Sequence, residues 1–192
     1  MRMGLFSCRQ PQSGRSLRPR CRKQGSQIVE FAMVLPLFLV FALAAFDFGQ
    51  VFALRDKLDN SAREGARQAS QQTLFTEVFN GPPSANTTAV AQSVFDYLLQ
   101  AKVVQGCSLN AGKNSGAFTW TFSAKKCADD LTITVERNVL VAMNGGEVSM
   151  SRVTVSYPAH FLFFHTVIGL LAPGATYSST FVLTPQAIMQ NL

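Results

Sequence analysis

A single carboxylate, Glu30, lies near the start of an apolar run that extends from Ile28 to Phe48. Asp47, close to the other end, is the only other charged residue in that run. An ionisable side chain in an apolar segment is costly unless it pairs with an opposite charge, and such residues usually serve a function. Glu30 is therefore either the partner of a cation in an assembly of helices or a residue that sits at the lipid headgroup level.

The remaining candidates for chemistry do not form a catalytic or metal-binding pattern. His160 and His165 are five residues apart, whereas metal-binding pairs on a helix prefer a spacing of four. The segment around Gly112 departs from a phosphate-binding loop in its spacing, and Asn114 replaces the Ser or Thr required after the lysine. We therefore expect core or interface histidines, no enzymatic activity, no metal and no cofactor.

Positive charge is concentrated at the amino end of the chain. The net charge is +6, and residues 1–29 carry seven basic residues and no acid. A basic arm binds nucleic acid or lies on an anionic membrane. The apolar run that follows favours the membrane, because positive charge beside a span marks its cytoplasmic side. We expect membrane lipid and no nucleic acid as a partner, with the amino end in the cytoplasm and the carboxyl end outside.

The apolar run is long enough to cross a bilayer. As a helix it would extend roughly 31 Å, close to the thickness of the hydrocarbon core. A cleaved secretory signal is the alternative, but no small-x-small cleavage site follows the run. We predict a retained, single-pass helix in the cytoplasmic (inner) membrane. Small residues that favour close helix packing in membranes, or are simply frequent there, recur at every fourth position: Ala45, Gly49 and Ala53.

The helix is predicted to continue beyond the membrane as an amphipathic extension. Five apolar residues fall on one of its faces: Leu54, Leu58, Ala62, Ala66 and Ala69. This narrow face suits packing against another helix or a sheet, and a solvated stalk is the alternative. A second amphipathic helix is predicted after the loop at 80–88, with one side formed by Val90, Val94, Tyr97, Leu98 and Ala101.

The period of the apolar pattern then changes to two, as it does in half-buried strands. Three alternating runs, "AFTWTFS", "LTITVER" and "EVSMSRVTVSYP", predict strands, and Met143–Glu147 predicts a hairpin turn between the last two. Residues 107–116 are predicted as a loop. Residues 158–174 are predicted as a buried or interfacial helix, with a second membrane pass as the alternative, and "TYSSTFVLTP" as a last strand. The expected class is α+β with an antiparallel sheet.

The four cysteines are Cys8, Cys21, Cys107 and Cys127, and none forms a CxxC pair. A zinc ribbon or a thioredoxin-like motif is therefore not supported. If the carboxyl-terminal part lies outside the cytoplasm, it meets an oxidising compartment, where cysteines usually pair. We predict a disulfide between Cys107 and Cys127, and two buried free thiols are the alternative.

The segment from Gly25 to Ser70 resembles the amino-terminal signature of TadE-like proteins, the minor pseudopilins of the tight-adherence (Flp) pilus of bacteria. The matching features are the glycine before a short polar stretch, "VEFA", the proline within the apolar run, "FDFG" and "NSAREGAR". Gln50 departs from the family, whose members often have Arg after "FDFG". The resemblance covers roughly a quarter of the chain.

The resemblance implies a prepilin peptidase as a partner, and other pilins or pseudopilins as further partners. Cleavage after Gly25, in an extended stretch of chain, would make Ser26 the first residue and Glu30 the fifth, where pilins carry a glutamate. The new α-amino group, with a pKa near 7.7–8.0, could then pair with Glu30 of a neighbouring subunit.

The predicted organisation is pilin-like. It consists of a basic leader (1–25), a transmembrane helix (26–48), its amphipathic extension (49–75) and an extracytoplasmic α+β domain (76–192). The expected function is non-catalytic assistance in the assembly, initiation or anchoring of a Flp-type pilus. The alternative is a signal-anchored extracytoplasmic protein that binds a ligand or partner and has no role in a pilus.

Overall fold

We describe the fold from a computed structural model, which covers residues 24–73, 77–125, 127, 129–143, 146–163 and 180–191. The chain divides into two compact units, residues 1–39 and residues 40–192. The predicted α+β class is confirmed, because a long amino-terminal helix precedes a domain with an antiparallel sheet.

The first helix, α1, runs from Gln24 to Gln71 and contains Pro36. Over its second part, one face is completely buried, and the residues on that face are Leu58, Ala62, Ala66 and Ala69. The predicted amphipathic face is therefore confirmed, and it packs against the domain rather than standing free as a stalk. The second helix, α2 (Ala85–Gln100), adds further apolar side chains to the same core.

Within the described residues, the sheet contains seven strands: β1 (Ser108–Leu109), β2 (Lys113–Gly116), β3 (Thr119–Lys125), β4 (Thr132–Met143), β5 (Gly146–His160), β6 (Thr180–Leu183) and β7 (Gln186–Gln190). Strands β3, β4 and β5 form an antiparallel meander. The short strands β1 and β2 share one edge of β3, and β6 and β7 share the outer edge of β5. The predicted hairpin is confirmed by the pairing of Met143 with Gly146.

The core lies between the two helices and one face of the sheet. Buried residues alternate along β4 and β5, as expected for a sheet with one covered face. The sheet side of the core contains Trp120, Phe122, Ile133, Val135, Val153 and Val155. Gly65 allows α1 to approach closely, since a Cβ atom there would lie 2.4 Å from Cγ2 of Val94 and 3.3 Å from Cγ1 of Val153.

Polar side chains form hydrogen bonds at the carboxyl end of α1 and at the amino end of α2. Arg137 is 2% exposed, and its Nη2 donates to the carbonyl of Gln72, just beyond α1, at 2.8 Å. A cation at this end of a helix is favourable, although burial lowers the pKa of Arg137 and the nearby Glu77 carboxylate opposes that shift. The hydroxyl of Ser84 accepts from the backbone N–H of Thr87 and so caps α2. The hydroxyls of Ser84 and Thr87 both donate to Oε1 of Glu77.

A disulfide bridge joins Cys107 to Cys127, with their Cα atoms 4.9 Å apart. This separation lies in the usual range for disulfides. The bridge ties the chain just before β1 to the connection between β3 and β4. It therefore fastens an edge of the sheet where the paired strands are short.

Three predictions about the carboxyl-terminal half need correction. The helix predicted over 158–174 is wrong at its start. Pro158–His160 belongs to β5, and residues 161–163 are not helical. Residues 164–174 lie outside the described part of the chain. Strand pairing governs here, with Tyr157 and Ala159 buried in alternation. The loop predicted over 107–116 contains β1 and β2, and the short strand β7 was not predicted. These strands are too short to show a clear period by themselves.

Gly65→Ala is expected to lower the free energy of unfolding by about 1–3 kcal/mol, because the added methyl group would overpack a filled contact. Val94 has a stiff, β-branched side chain and cannot easily move aside. Gly49→Ala, in the same helix, is the control, since nothing lies within 4 Å of its Cβ position. Denaturant unfolding in detergent, followed by circular dichroism, checks this. Equal stability of the two variants would contradict the close packing.

Removing the disulfide is expected to destabilise the domain by roughly 3 kcal/mol, through the larger conformational freedom of the unfolded chain. The double variant Cys107→Ser, Cys127→Ser should unfold at lower denaturant concentration than the parent chain. Thiol labelling of the unfolded, unreduced protein provides the direct measurement. Labelling of both of these cysteines in protein taken from cells would show that the bridge does not form there.

Candidate functional site

The first part of α1 exposes apolar side chains on all sides. Every residue from Ile28 to Leu39 is exposed, and Phe31, Met33 and Phe38 each expose more than 60% of their surface. Among the described residues, α1 is the one helix whose length and composition would allow it to cross a membrane, with a mean hydropathy of 2.5 over 18 residues. Water is a poor solvent for such a surface, whereas lipid suits it. The helix therefore fits a single-pass membrane anchor.

The residues predicted for processing lie at the beginning of this helix. Gly25 and Ser26 are in its first turn, because α1 begins at Gln24. A peptidase that binds an extended chain at Gly25 would therefore have to open this turn. The first turn of a helix lacks half of its backbone hydrogen bonds and frays readily. Glu30 follows within the helix and is exposed.

The small residues Ala45, Gly49 and Ala53 are all exposed. Helix geometry puts Ala45 and Gly49 on the side opposite the buried residues Asp47 and Leu58, whereas Ala53 lies at the edge of that side and lines a cleft next to β5. This side of α1 is therefore open to another helix, and the role of these three residues in helix packing stays a prediction.

One contact that sequence reasoning missed connects α1 to the end of β5. Asp47 is 2% exposed, and its Oδ2 accepts from the backbone N–H of Phe163 at 2.9 Å. The rings of Phe46 and Phe163, and of Phe48 and Phe161, stand edge to face with centroids 5.9 Å and 5.7 Å apart. The isolated charge of Asp47 beside aromatic residues was the only sign of this contact in the sequence.

A polar cleft of about 370 Å³ lies between α1 and the end of β5. Its polar wall includes Asp129, whose carboxylate accepts from the hydroxyl of Tyr157 at 3.1 Å and pairs with Nε2 of His160 at 2.7 Å. Lys57 and Lys102 also line the cleft, and Nζ of Lys57 donates to the carbonyl of Ala101. Sequence reasoning did not link Asp129 to His160, because 31 residues separate them.

The tyrosine that lines the cleft has a strongly perturbed pKa. Burial, and then the hydrogen bond and negative charge of Asp129, raise the pKa of Tyr157 to about 12. Tyr157 is therefore a neutral hydrogen-bond donor at physiological pH and not a proton acceptor. No group of three or more His, Cys, Asp or Glu side chains within the described ranges is arranged to hold a metal ion. His165, the second histidine, lies outside those ranges.

Comparison with known proteins identifies the segment that contains the exposed helix. Residues 25–67 match the family model for TadE-like proteins. The matched TadE-like segment covers less than a quarter of the chain and confirms the resemblance seen in the sequence. No curated protein and no solved structure matches the chain significantly.

The match relates the chain to the tight-adherence pilus, since the TadE-like family is pilus-associated and structural and is not known for enzymes. The structure explains why "NSAREGAR" within the TadE-like segment combines small and charged residues. Its small residues are buried against the domain: Ser61, Ala62, Gly65 and Ala66. Its charged residues, Arg63, Glu64 and Arg67, face outwards.

Tyr157→Phe tests the contact with Asp129 through its pH dependence. The native state keeps the phenol proton between pH 10 and about pH 12, where the unfolded state loses it. This contribution to stability is thus complete below pH 10 and is lost as the pH rises towards 12, by up to about 3 kcal/mol. The variant should lose less stability between pH 8 and pH 11.5 in denaturant titrations.

At neutral pH the same variant should be less stable than the parent chain by about 1 kcal/mol, because Asp129 loses a hydrogen bond. Tyr97→Phe, at a half-buried tyrosine of α2, is the matched control. If both variants lose stability in parallel with the parent chain as the pH rises, the contact between Tyr157 and Asp129 does not have the assigned effect.

Proposed function

We propose that this protein is a non-catalytic minor pseudopilin that helps to assemble, initiate or anchor a Flp-type pilus. The observation that carries the proposal is the TadE-like segment itself: an exposed apolar helix whose later turns belong to the core of a folded domain. Such a helix can remain in the membrane, or pack among like helices, while the domain stays outside.

The orientation in the membrane follows from charge. Residues 1–29 carry all seven basic residues that precede the apolar run, which favours a cytoplasmic amino end in the inner membrane. The domain then lies on the opposite side of the membrane. Prepilin peptidase acts at the cytoplasmic face, so this orientation presents Gly25 to the enzyme.

Cleavage after Gly25 would create a positive charge at the start of α1. Hydrolysis of the peptide bond would leave a new α-amino group on Ser26, largely cationic at neutral pH. Glu30 is exposed on α1 and is surrounded in sequence by apolar residues. In a bundle of such helices, its carboxylate would be stabilised by the amino group of a neighbouring subunit. That pair would set the axial register between subunits.

Processing is the first test of this function. Mass spectrometry of the protein from membranes of cells with an active prepilin peptidase should find Ser26 as the amino-terminal residue. Gly25→Val should block cleavage, because a branched side chain obstructs access to the bond. Persistence of the intact leader in the parent chain would instead favour a signal-anchored protein that binds a partner through its outer domain.

Assembly is tested separately by Glu30→Ala. This variant should be cleaved and inserted normally, because the helix becomes more apolar, but it should reduce the yield of surface pili. Glu30→Gln, which keeps a polar side chain without charge, should show the same defect. Asp56→Ala removes another exposed carboxylate of α1 and should leave the yield unchanged.

A further inference from the structure

Five phenylalanine rings lie together where the apolar run of α1 ends. We call this cluster the aromatic collar; it consists of Phe46, Phe48, Phe161, Phe163 and Phe181. Neighbouring rings have centroids between 5.2 and 5.9 Å apart. The collar joins three elements that are distant in sequence: α1, the chain after β5, and β6.

The hydrogen bond of Asp47 fixes the height of the collar along α1. Its carboxylate accepts from the backbone of Phe163, so residues 161–163 lie beside Phe46 and Phe48 rather than further along the helix. Asp47 is almost completely buried by this arrangement. The chain just after β5 therefore lies in the same environment as this turn of α1.

That environment is the boundary of the bilayer if α1 is the membrane anchor. A helix from Ile28 to Phe48 spans roughly 31 Å and fills the hydrocarbon core, which puts Phe46 and Phe48 at its edge. Phe52 and Arg55 follow about 6 and 10 Å beyond Phe48. The headgroup layer is about 5–8 Å thick on each side, so Phe52 lies within it, and the long side chain of Arg55 can reach back to the phosphates.

The surface at this level has the composition of a membrane interface. Four of its large apolar side chains are between 41% and 60% exposed: Phe46, Phe52, Leu162 and Phe163. Beside them is a mostly apolar groove of about 410 Å³, lined among others by Phe48, Phe181 and Arg55. Aromatic and aliphatic side chains with a nearby guanidinium suit the acyl–headgroup boundary, because the rings enter the lipid and the cation binds phosphate.

We propose that the aromatic collar is a membrane-contact surface whose partner is the phospholipid bilayer. The end of β5 and the start of β6 dip into the leaflet on the domain side, and Arg55 faces the lipid phosphates. The domain is then held against the membrane at two places, α1 and the collar, so that it cannot swing freely about the helix. This inference rests on the proposed membrane anchor.

Fluorescence quenching by lipids with brominated acyl chains tests the collar in the full-length protein. The chain has one native tryptophan, Trp120, which is buried in the core and supplies a constant background. Phe163→Trp reports on the collar. Phe79→Trp is the matched control, an exposed phenylalanine that also contacts another ring, Phe118, far from the membrane segment in sequence. Phe38→Trp reports on the anchor.

The protein is reconstituted in phosphatidylcholine vesicles that contain phosphatidylglycerol, either without bromine, with bromine on the upper acyl carbons to report on positions 162 and 163, or with bromine near the acyl ends to report on position 38. The expected result is a loss of emission for Phe163→Trp and Phe38→Trp in brominated vesicles, with none for Phe79→Trp beyond the background. Leu162→Trp, at a side chain that is 58% exposed, repeats the measurement if Phe163→Trp does not fold.

The two proposals fail in different ways. Quenching of Phe38→Trp without quenching at 162 or 163 would leave the anchor in place and overturn the collar. A blue-shifted but unquenched signal at these positions would mean that a second copy of the chain covers them, which also overturns it. Absence of quenching at all three positions would refute the membrane anchor, and the collar with it.

Discussion

One continuous helix has to satisfy two different environments, and the rest of the structure depends on how it does so. From Ile28 to Leu39, bulky apolar side chains cover α1 on every side, which suits lipid or a bundle of similar helices. From Leu58 to Ala69, the apolar face is narrow and consists mostly of alanine. The first part needs a surrounding apolar medium, whereas the second allows the backbone of α1 to come close to a protein core.

The close approach of the second part of α1 to the protein core determines how the domain packs around this helix. At Gly65, α1 has no room for a methyl group between α2 and β5. Because α1 packs this closely, a small shift of the helix would create a clash. Polar contacts hold the carboxyl end of α1 and the amino end of α2 in place. Arg137 holds the carboxyl end of α1, and Glu77 holds the amino end of α2 through Ser84 and Thr87. The small residues of "NSAREGAR" thus form a packing surface.

The proposed function uses the same division of α1. Assembly through Glu30 requires an apolar helix that can slide next to its neighbours, since lipid offers no driving force to hold one register. In the proposed assembly, a pair between Glu30 and a neighbouring amino group would set that register, because the two charges meet in one alignment only. The proposal puts the domain and its cleft outside the cytoplasm. The pair of Asp129 and His160 lies in that cleft.

Much of the fold was predictable from the sequence, because the relevant signals are local. A long apolar run, a narrow alanine face and three alternating runs were sufficient for α1, α2 and the meander of β3, β4 and β5. The short strands β1, β2 and β7 were not predicted, since they exist only by pairing with the edges of β3 and β5. The segment after Tyr157 was misread because its apolar composition suits a helix as well as a strand.

The candidate site was also predictable only in part from the sequence. Glu30 and the small residues of α1 could be singled out because charge, composition and spacing within one helix identify them, and Gly25 was indicated by the resemblance to TadE-like proteins. The contact of Asp47 with Phe163, the pair of Asp129 and His160, and the collar could not, because each joins residues brought together only by folding. The sequence alone determined which part of the chain prefers lipid, since transfer from water depends on composition. Only the tertiary structure decided what lies beside that part, since contacts across the fold depend on how strands pair and helices pack.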